Sequence, residues 1–179
     1  MIDKVKTVEE SLIERLENEN KDLQKQNRVL LAKIRELEMS VNIYRHDSLT
    51  GFKMRRDFEM EIFNMCEKLD KFYLYIIDIN GLHSINREKG YDAGDKLIKF
   101  VADEIVENIK GIPFRLGGDE FAVLSLEKQD VKIPKSIVGV GCSSDYETID
   151  EFIKGVDGKV IEAKKVLYKG RNDRRKNES

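Results

Sequence analysis

Apolar residues in the first quarter of the chain recur every seven positions. Leu16, Leu23, Leu30, Leu37 and Tyr44 fall at one core position, and Ile13, Asn20, Asn27, Ile34 and Val41 at the other. Residues 1–45 hold no Gly and no Pro, so nothing in them breaks a helix. Branched or Asn residues at a with Leu at d favour a parallel two-stranded coiled coil. The two Asn cost stability but fix register, because they pair with each other only in an in-register homodimer. A lone amphipathic helix packed on its own domain is the competing reading. The apolar stripe is as narrow as a zipper seam, which favours the coiled coil.

From Arg45 the period breaks, and Asp47-Ser48-Leu49-Thr50-Gly51 reads as a turn. The expected organisation is therefore a coiled coil over 1–45, a globular domain over 46–170 and a disordered polar tail over 171–179. Within the domain, helical spacing runs over 56–69 (Phe58, Ile62, Met65, Leu69). A continuous apolar run over 72–79 predicts a buried strand ending in Asp78. A loop is expected next, then a helix over 93–109 with Leu97, Val101, Ile105 and Ile109 inward. Short strands are predicted over 113–116, 121–126 and 137–142. Thr148 with Glu151 three residues on is a capping box opening the last helix. The order α-β-α-β-β-β-α predicts an α+β fold of the ferredoxin-like class, an antiparallel-containing sheet with helices on one side.

Charge adds an exclusion. Lys plus Arg (32) nearly balance Asp plus Glu (34), for a net charge near −2 in 179 residues. Nothing general attracts a polyanion, so a nucleotide site must build its own local field. A zipper reading DNA needs a strongly basic helix just upstream. Residues 1–12 mix Lys with Asp and Glu, so no nucleic acid is expected. No stretch approaches the ~20 apolar residues of a membrane span. Cys66 and Cys142 fit neither zinc spacing nor a disulfide framework, and read as reduced thiols. The expected location is the cytoplasm.

The chemistry concentrates at Arg115-Leu116-Gly117-Gly118-Asp119-Glu120-Phe121. Two glycines between short apolar strands permit positive φ and a two-residue turn. They also let a phosphate or sugar approach the backbone. Asp119 and Glu120 follow, and Asp78 ends what should be the neighbouring strand. Three converging carboxylates beside a bare backbone suit a Mg²⁺ that must also bridge phosphates. On the hairpin alone, a solvated Gly-Gly-Asp turn is equally compatible.

The hairpin has company. The chain resembles the GGDEF family of diguanylate cyclases, which condense two GTP into cyclic di-GMP. Asp47-Ser48-Leu49-Thr50-Gly51-Phe52 with Arg55-Arg56 is similar to the family's Asp-x-Leu-Thr-Gly-Leu-x-x-Arg-Arg. Asp78-Ile79-Asn80-Gly81-Leu82-His83-Ser84-Ile85-Asn86 resembles Asp-Ile-Asp/Asn-x-Phe/Leu-Lys-x-Ile-Asn, and Gly90, Gly94 and Asp95 match the Gly-His-x-x-Gly-Asp that follows. Arg115 to Phe121 matches the naming motif without a gap, and 156–164 is similar to Ala-Asp-x-Ala-Met-Tyr-x-Ala-Lys. The resemblance spans about 45–164.

The resemblance implies an enzyme working across a homodimer, with each domain holding one GTP. Asp78 and Asp119 would hold two Mg²⁺ ions, helped by the Ile79 carbonyl, with Mn²⁺ able to substitute. Glu120 would complete the metal site or assist deprotonation of the ribose 3′-OH, beside Gly118. Asn86 and Asp95 would bind the guanine edge, Leu82 and Gly117 would line the substrate, and Lys164 would neutralise the triphosphate. Without the family, Asn86 reads as a turn cap and Asp95 as a helix N-cap.

Departures from the pattern are specific. His83 stands where the family usually has Lys, Arg87 where it often has Asp, and Tyr91 where His is common. The stretch between Phe121 and Ile137, with Pro134 in it, is too short for the helix the family carries there. A trimmed, compact domain is expected. Asn108-Ile109-Lys110-Gly111 occupies the place of the product-inhibition motif Arg-x-x-Asp, so feedback there is not expected. Arg171 lies a few residues too late to match the family's terminal Arg. A degenerate module that binds GTP or a partner without turnover is the alternative function. A cyclase of altered product is opposed by Asp95.

Overall fold

The computed structural model describes the backbone of residues 2–177 and the side chains of 13–38, 45–167 and 169. The expected core positions Val41 and Tyr44, and the side chains of the tail at 171–179, lie outside them. Two compact units divide at Tyr44. The first is one uninterrupted helix, α1 (Ile2–Arg45). Its heptad residues Ile13, Leu16, Leu23, Leu30, Ile34 and Leu37 are 49–58% exposed. Among the described residues this apolar stripe stays open along the helix.

The second unit carries β1 (Lys53–Met54), α2 (Arg55–Lys68), β2 (Tyr73–Ile79), α3 (Leu82–Lys89), α4 (Tyr91–Asn108), β3 (Ile112–Arg115), β4 (Glu120–Ser125), β5 (Ser136–Cys142) and α5 (Ile149–Asn177). Among the described residues five strands form one mixed sheet in the order β1-β3-β4-β2-β5, with β1 parallel to β3 and the other pairs antiparallel. The expected α+β class holds.

The helices, however, cover both faces rather than one. Tyr75, Ile77 and Ile79 of β2, with Phe121 and Val123 of β4, pack under Ile98, Val101, Ala102 and Ile105 of α4. Leu74 and Ile76, with Ala122 and Leu124, pack against Phe58, Ile62 and Met65 of α2 and Phe152, Val156 and Val160 of α5. A strand that is apolar at every position exposes neither side, so it needs two covers. The same alternation puts Asp78 on the α5 face.

Further differences are local. The loop expected after β2 contains α3, bounded by Gly81 at φ 78° and Gly90 at φ 83°. Glycine supplies these left-handed turns without steric cost. With α3 in place, α4 begins two residues earlier than its apolar face indicated. Strand β1 is too short for any periodicity to reveal.

The segment 126–135 contains no helix, as its length and Pro134 predict. Ile133 is buried and Val131 half-buried against the α4-side core. The loop is tied down by Gln129. Its amide donates to the Tyr75 hydroxyl at 2.6 Å, and its side-chain oxygen accepts from the Lys110 amide at 2.8 Å. A plug of irregular chain thus fills the place of a helix.

On the opposite face, Gly139 and Gly141 let α5 lie against β5. A Cβ at Gly139 would come within 2.7 Å of the Val156 carbonyl, and one at Gly141 within 2.5 Å of Val156 Cγ2. Close packing of this kind resists added methylenes. Gly139→Val should therefore displace α5 and cost about 1–3 kcal/mol in urea denaturation.

Candidate active site

The turn at 47–52 is built around one carboxylate. Asp47 Oδ1 accepts from the Thr50 amide at 2.9 Å and the Thr50 hydroxyl at 2.7 Å. Gly51 turns the chain at φ 74°, and the Asp47 amide donates to the Phe52 carbonyl at 2.8 Å. The Arg115 guanidinium, 68 residues on, donates to both Asp47 oxygens at 2.8 and 2.9 Å. The same guanidinium donates to the Gly117 carbonyl at 3.1 Å and the Gly118 carbonyl at 2.9 Å. Burial works to raise the Asp47 pKa, but Arg115 and Thr50 together outweigh it and hold the carboxyl below its ordinary range.

The hairpin is not the two-residue turn its glycines indicated. Arg115 pairs with Phe121, leaving 116–120 between the last paired residues. Neither Gly117 nor Gly118 is in the left-handed region. The Arg115 guanidinium holds the carbonyls of both glycines in this turn. A Cβ on Gly118 would meet nothing within 4 Å, and one on Gly117 only Glu120 at 3.4 Å. The fold does not require glycine at either position. What the glycines provide is open backbone.

Beside this turn, Asp78 is 4% exposed at the end of β2, directly across from Glu120 on β4. Its Oδ2 accepts from Lys164 Nζ of α5 at 2.6 Å. Burial raises the Asp78 pKa; Lys164 offsets this in part, and the Asp119 charge adds to it. Burial opposes the charge on Lys164, but the bond to Asp78 and the charges of Asp119 and Glu120 outweigh it and raise that pKa too. The pair is lopsided because Asp78 lies deeper, its side chain 6% exposed against 32% for Lys164. Asp119 is anchored through its carbonyl, which accepts from the Ile79 amide at 2.9 Å. Glu120 turns instead to Arg55, 3.4 Å away, whose Nε donates to the Leu116 carbonyl at 2.9 Å.

Two other predicted residues meet where α3 and α4 pack. Asn86 lies mid-helix in α3, and its Oδ1 is buried without a hydrogen-bond partner. A Cβ at Gly94 would overlap that oxygen, so glycine there makes room for Asn86. Neither cap reading describes these residues, since Asp95 is the fifth residue of α4 and exposed. An unsatisfied buried amide oxygen is costly unless something else bonds it. Leu82 opens α3 with its side chain in the core.

For a divalent cation the donors are chemically apt: Asp78, Asp119 and the Ile79 carbonyl are all oxygen. Among the described residues, no three His, Cys, Asp or Glu side chains gather into one metal-holding group. The expected three-carboxylate convergence is thus reduced to Asp78 and Asp119 as electrostatic neighbours. This still fits Mg²⁺, which takes one or two carboxylates and completes its shell with water and substrate phosphates.

A family model for the diguanylate cyclase GGDEF domain matches residues 44–138, more than half of the chain. The chain belongs to the GGDEF-domain family. The diguanylate cyclase VdcA of Vibrio cholerae is 26% identical over 148 residues, 70% of this chain and 44% of VdcA. The cyclic di-GMP phosphodiesterase NbdA of Pseudomonas aeruginosa is 34% identical over 93 residues, 48% of this chain and 12% of NbdA. The chain therefore spans less than half of either relative. Among solved structures, the coiled coil and GGDEF domain of DgcB from Caulobacter crescentus, in complex with c-di-GMP, superposes with a TM-score of 0.69 at 19% identity. It covers 78% of this chain and 91% of that one, a likeness of fold.

Asp47, Arg55 and Arg115 stand inside the motifs of this GGDEF domain, but nothing in the motifs alone shows what these side chains touch. The signal available was their place in the same motifs as the acidic residues. A larger cavity of about 730 Å³ lies between α2 and the far ends of β3 and β4. It holds none of the predicted residues. The depressed Asp47 carboxyl fixes a pH dependence: its stabilisation is present above the unfolded value of 3.8 and lost as pH falls through the lower folded one. Asp47→Asn should cost about 1–3 kcal/mol at neutral pH. In acid titrations followed by denaturation, its deficit against wild type should vanish below that range.

Proposed function

We propose that this chain is an active diguanylate cyclase, condensing two GTP into cyclic di-GMP with release of two pyrophosphates. The observation that carries the reading is the hairpin. Gly117 and Gly118 are bare without a conformational need, and they directly precede Asp119, whose charge acts on both Asp78 and Lys164. Space kept free next to carboxylates and a lysine is what a phosphate ester requires.

In this reading, Asn86 and Asp95 grip guanine: the orphan Asn86 oxygen gains a donor, and a carboxylate accepting from N1–H and the exocyclic amine selects against adenine. Asp78, Asp119 and the Ile79 carbonyl would hold Mg²⁺ or Mn²⁺, which supplies charge neutralisation of the phosphates when bound. Lys164 moves from Asp78 to the triphosphate. Arg55 holds Glu120 at the edge of the hairpin, where its carboxylate can take the 3′-OH proton. The 3′-oxygen of one GTP bonds to the α-phosphorus of the other as the bond to pyrophosphate breaks, and the reciprocal step closes the ring. A parallel dimer through α1, registered by Asn20 and Asn27, keeps the second domain at high effective concentration.

A degenerate module is the second reading. It is favoured by the Lys164 ion pair on Asp78 and by a phosphodiesterase among the relatives. Chromatography of products from GTP with Mg²⁺ decides between them. Wild type should yield the cyclic dinucleotide, and Asp119→Ala should lower the rate by about a thousandfold or more while GTP still binds. A dimeric wild-type protein that yields no dinucleotide would sink the cyclase reading.

A further inference from the structure

Asp78 and Glu120 face each other across β2 and β4. The hydrogen bond at this end of the strand pair belongs to the next residue, Ile79, whose amide donates to the Asp119 carbonyl at 2.9 Å. Asp78 and Glu120 are therefore a non-hydrogen-bonded pair, the kind whose side chains approach most closely and share one face of the sheet. Two carboxylates so placed repel each other unless a cation lies between them.

Here they are drawn apart instead, each by a cation from a different helix. Lys164 of α5 takes Asp78 at 2.6 Å, and Arg55 of α2 takes Glu120 at 3.4 Å. The carboxylates that act most on Asp78 are Asp119 and Asp157, not Glu120 directly opposite. The Arg55 pair alone would hold little, because its side chains are 54% and 42% exposed. A second bond fixes the guanidinium, from Arg55 Nε to the Leu116 carbonyl at 2.9 Å. The Leu116 amide in turn donates to the Glu120 carbonyl at 2.8 Å. Arg55 is thus anchored to the backbone of the same hairpin whose carboxylate it holds.

We propose that Arg55 is a positioning residue that keeps Glu120 out of the cation site formed by Asp78 and Asp119. The proposal rests on the reading of that site as one for Mg²⁺ and a nucleotide. Affinity for a hard cation rises with the number of charged oxygens around it. Asp78, Asp119 and Glu120 against Lys164 and Arg55 leave one net negative charge, so the nucleotide-free site attracts a bare divalent ion poorly. Phosphate oxygens must then supply the missing ligands. Cation binding is tied to nucleotide binding, and Glu120 stays available to take a proton.

Titration of the nucleotide-free full chain with Mn²⁺, followed by the paramagnetic resonance of the free ion, tests it. Arg55→Ala should tighten Mn²⁺ by about fivefold, because it releases Glu120 as a third carboxylate. A merely structural role for Arg55 would loosen the site in that variant, not tighten it. Glu120→Gln alone should stay within about twofold of wild type, and adding Arg55→Ala to it should bring no gain. Equal affinity in Arg55→Ala and wild type would overturn the proposal. So would a gain that persists in the double variant, which marks a general loss of positive charge. A loss of about tenfold in Glu120→Gln would overturn it too, by marking Glu120 as a ligand already. That arm leaves Arg55 in place, so it decides alone if Arg55→Ala does not fold. A wild type and an Arg55→Ala that both bind no Mn²⁺ would remove the underlying site reading, and this proposal with it.

Discussion

The Arg115 guanidinium touches both oxygens of Asp47 and the carbonyls of Gly117 and Gly118, and the geometry of the site follows from that one group. Both partners of the ion pair are largely buried, at 13% and 17% side-chain exposure, so the charges face little solvent competition. Bidentate pairs of this kind are among the stronger charge-assisted hydrogen bonds. One end anchors the turn that precedes β1, and the other shapes the hairpin between β3 and β4. The hairpin's form is thus set by a side chain behind it. Its front is left as bare backbone.

A second constraint is β2. Its register with β4 sets Asp78 opposite Glu120, and its register with β5 brings Lys135 to Asn80. Because β2 is buried on both faces, the carboxylate at its end is desolvated, and its pKa is raised. The fold bears the cost of holding that charge, eased by Lys164 from α5. A divalent cation or a phosphate arriving at the site would change which partner each of these groups keeps.

Much of this was legible in the chain itself. The seven-residue period gave α1, the continuous run ending in Asp78 gave β2, and the unbroken Arg115 to Phe121 motif located the hairpin. Local patterns carry that much. What they could not carry were pairings across long separations: Arg115 with Asp47, Lys164 with Asp78, and Lys135 with Asn80. Helices on both faces were missed because a wholly apolar strand has no polar alternation to show which side is covered. Helix α3 was missed because its eight residues hold few apolar positions, and its ends are set by the glycines flanking it. The glycines of the hairpin misled in a different way. Their freedom of φ was real, but the structure uses only their lack of a side chain.

The central claim, that Gly118 is kept bare for a ligand and not for the fold, is open to a direct measurement: urea denaturation and GTP titration of Gly118→Ala beside wild type. The account predicts a stability within about 0.5 kcal/mol of wild type, with GTP binding and turnover severely reduced. A variant that loses stability in step with binding, or one that binds and turns over GTP normally, would contradict it.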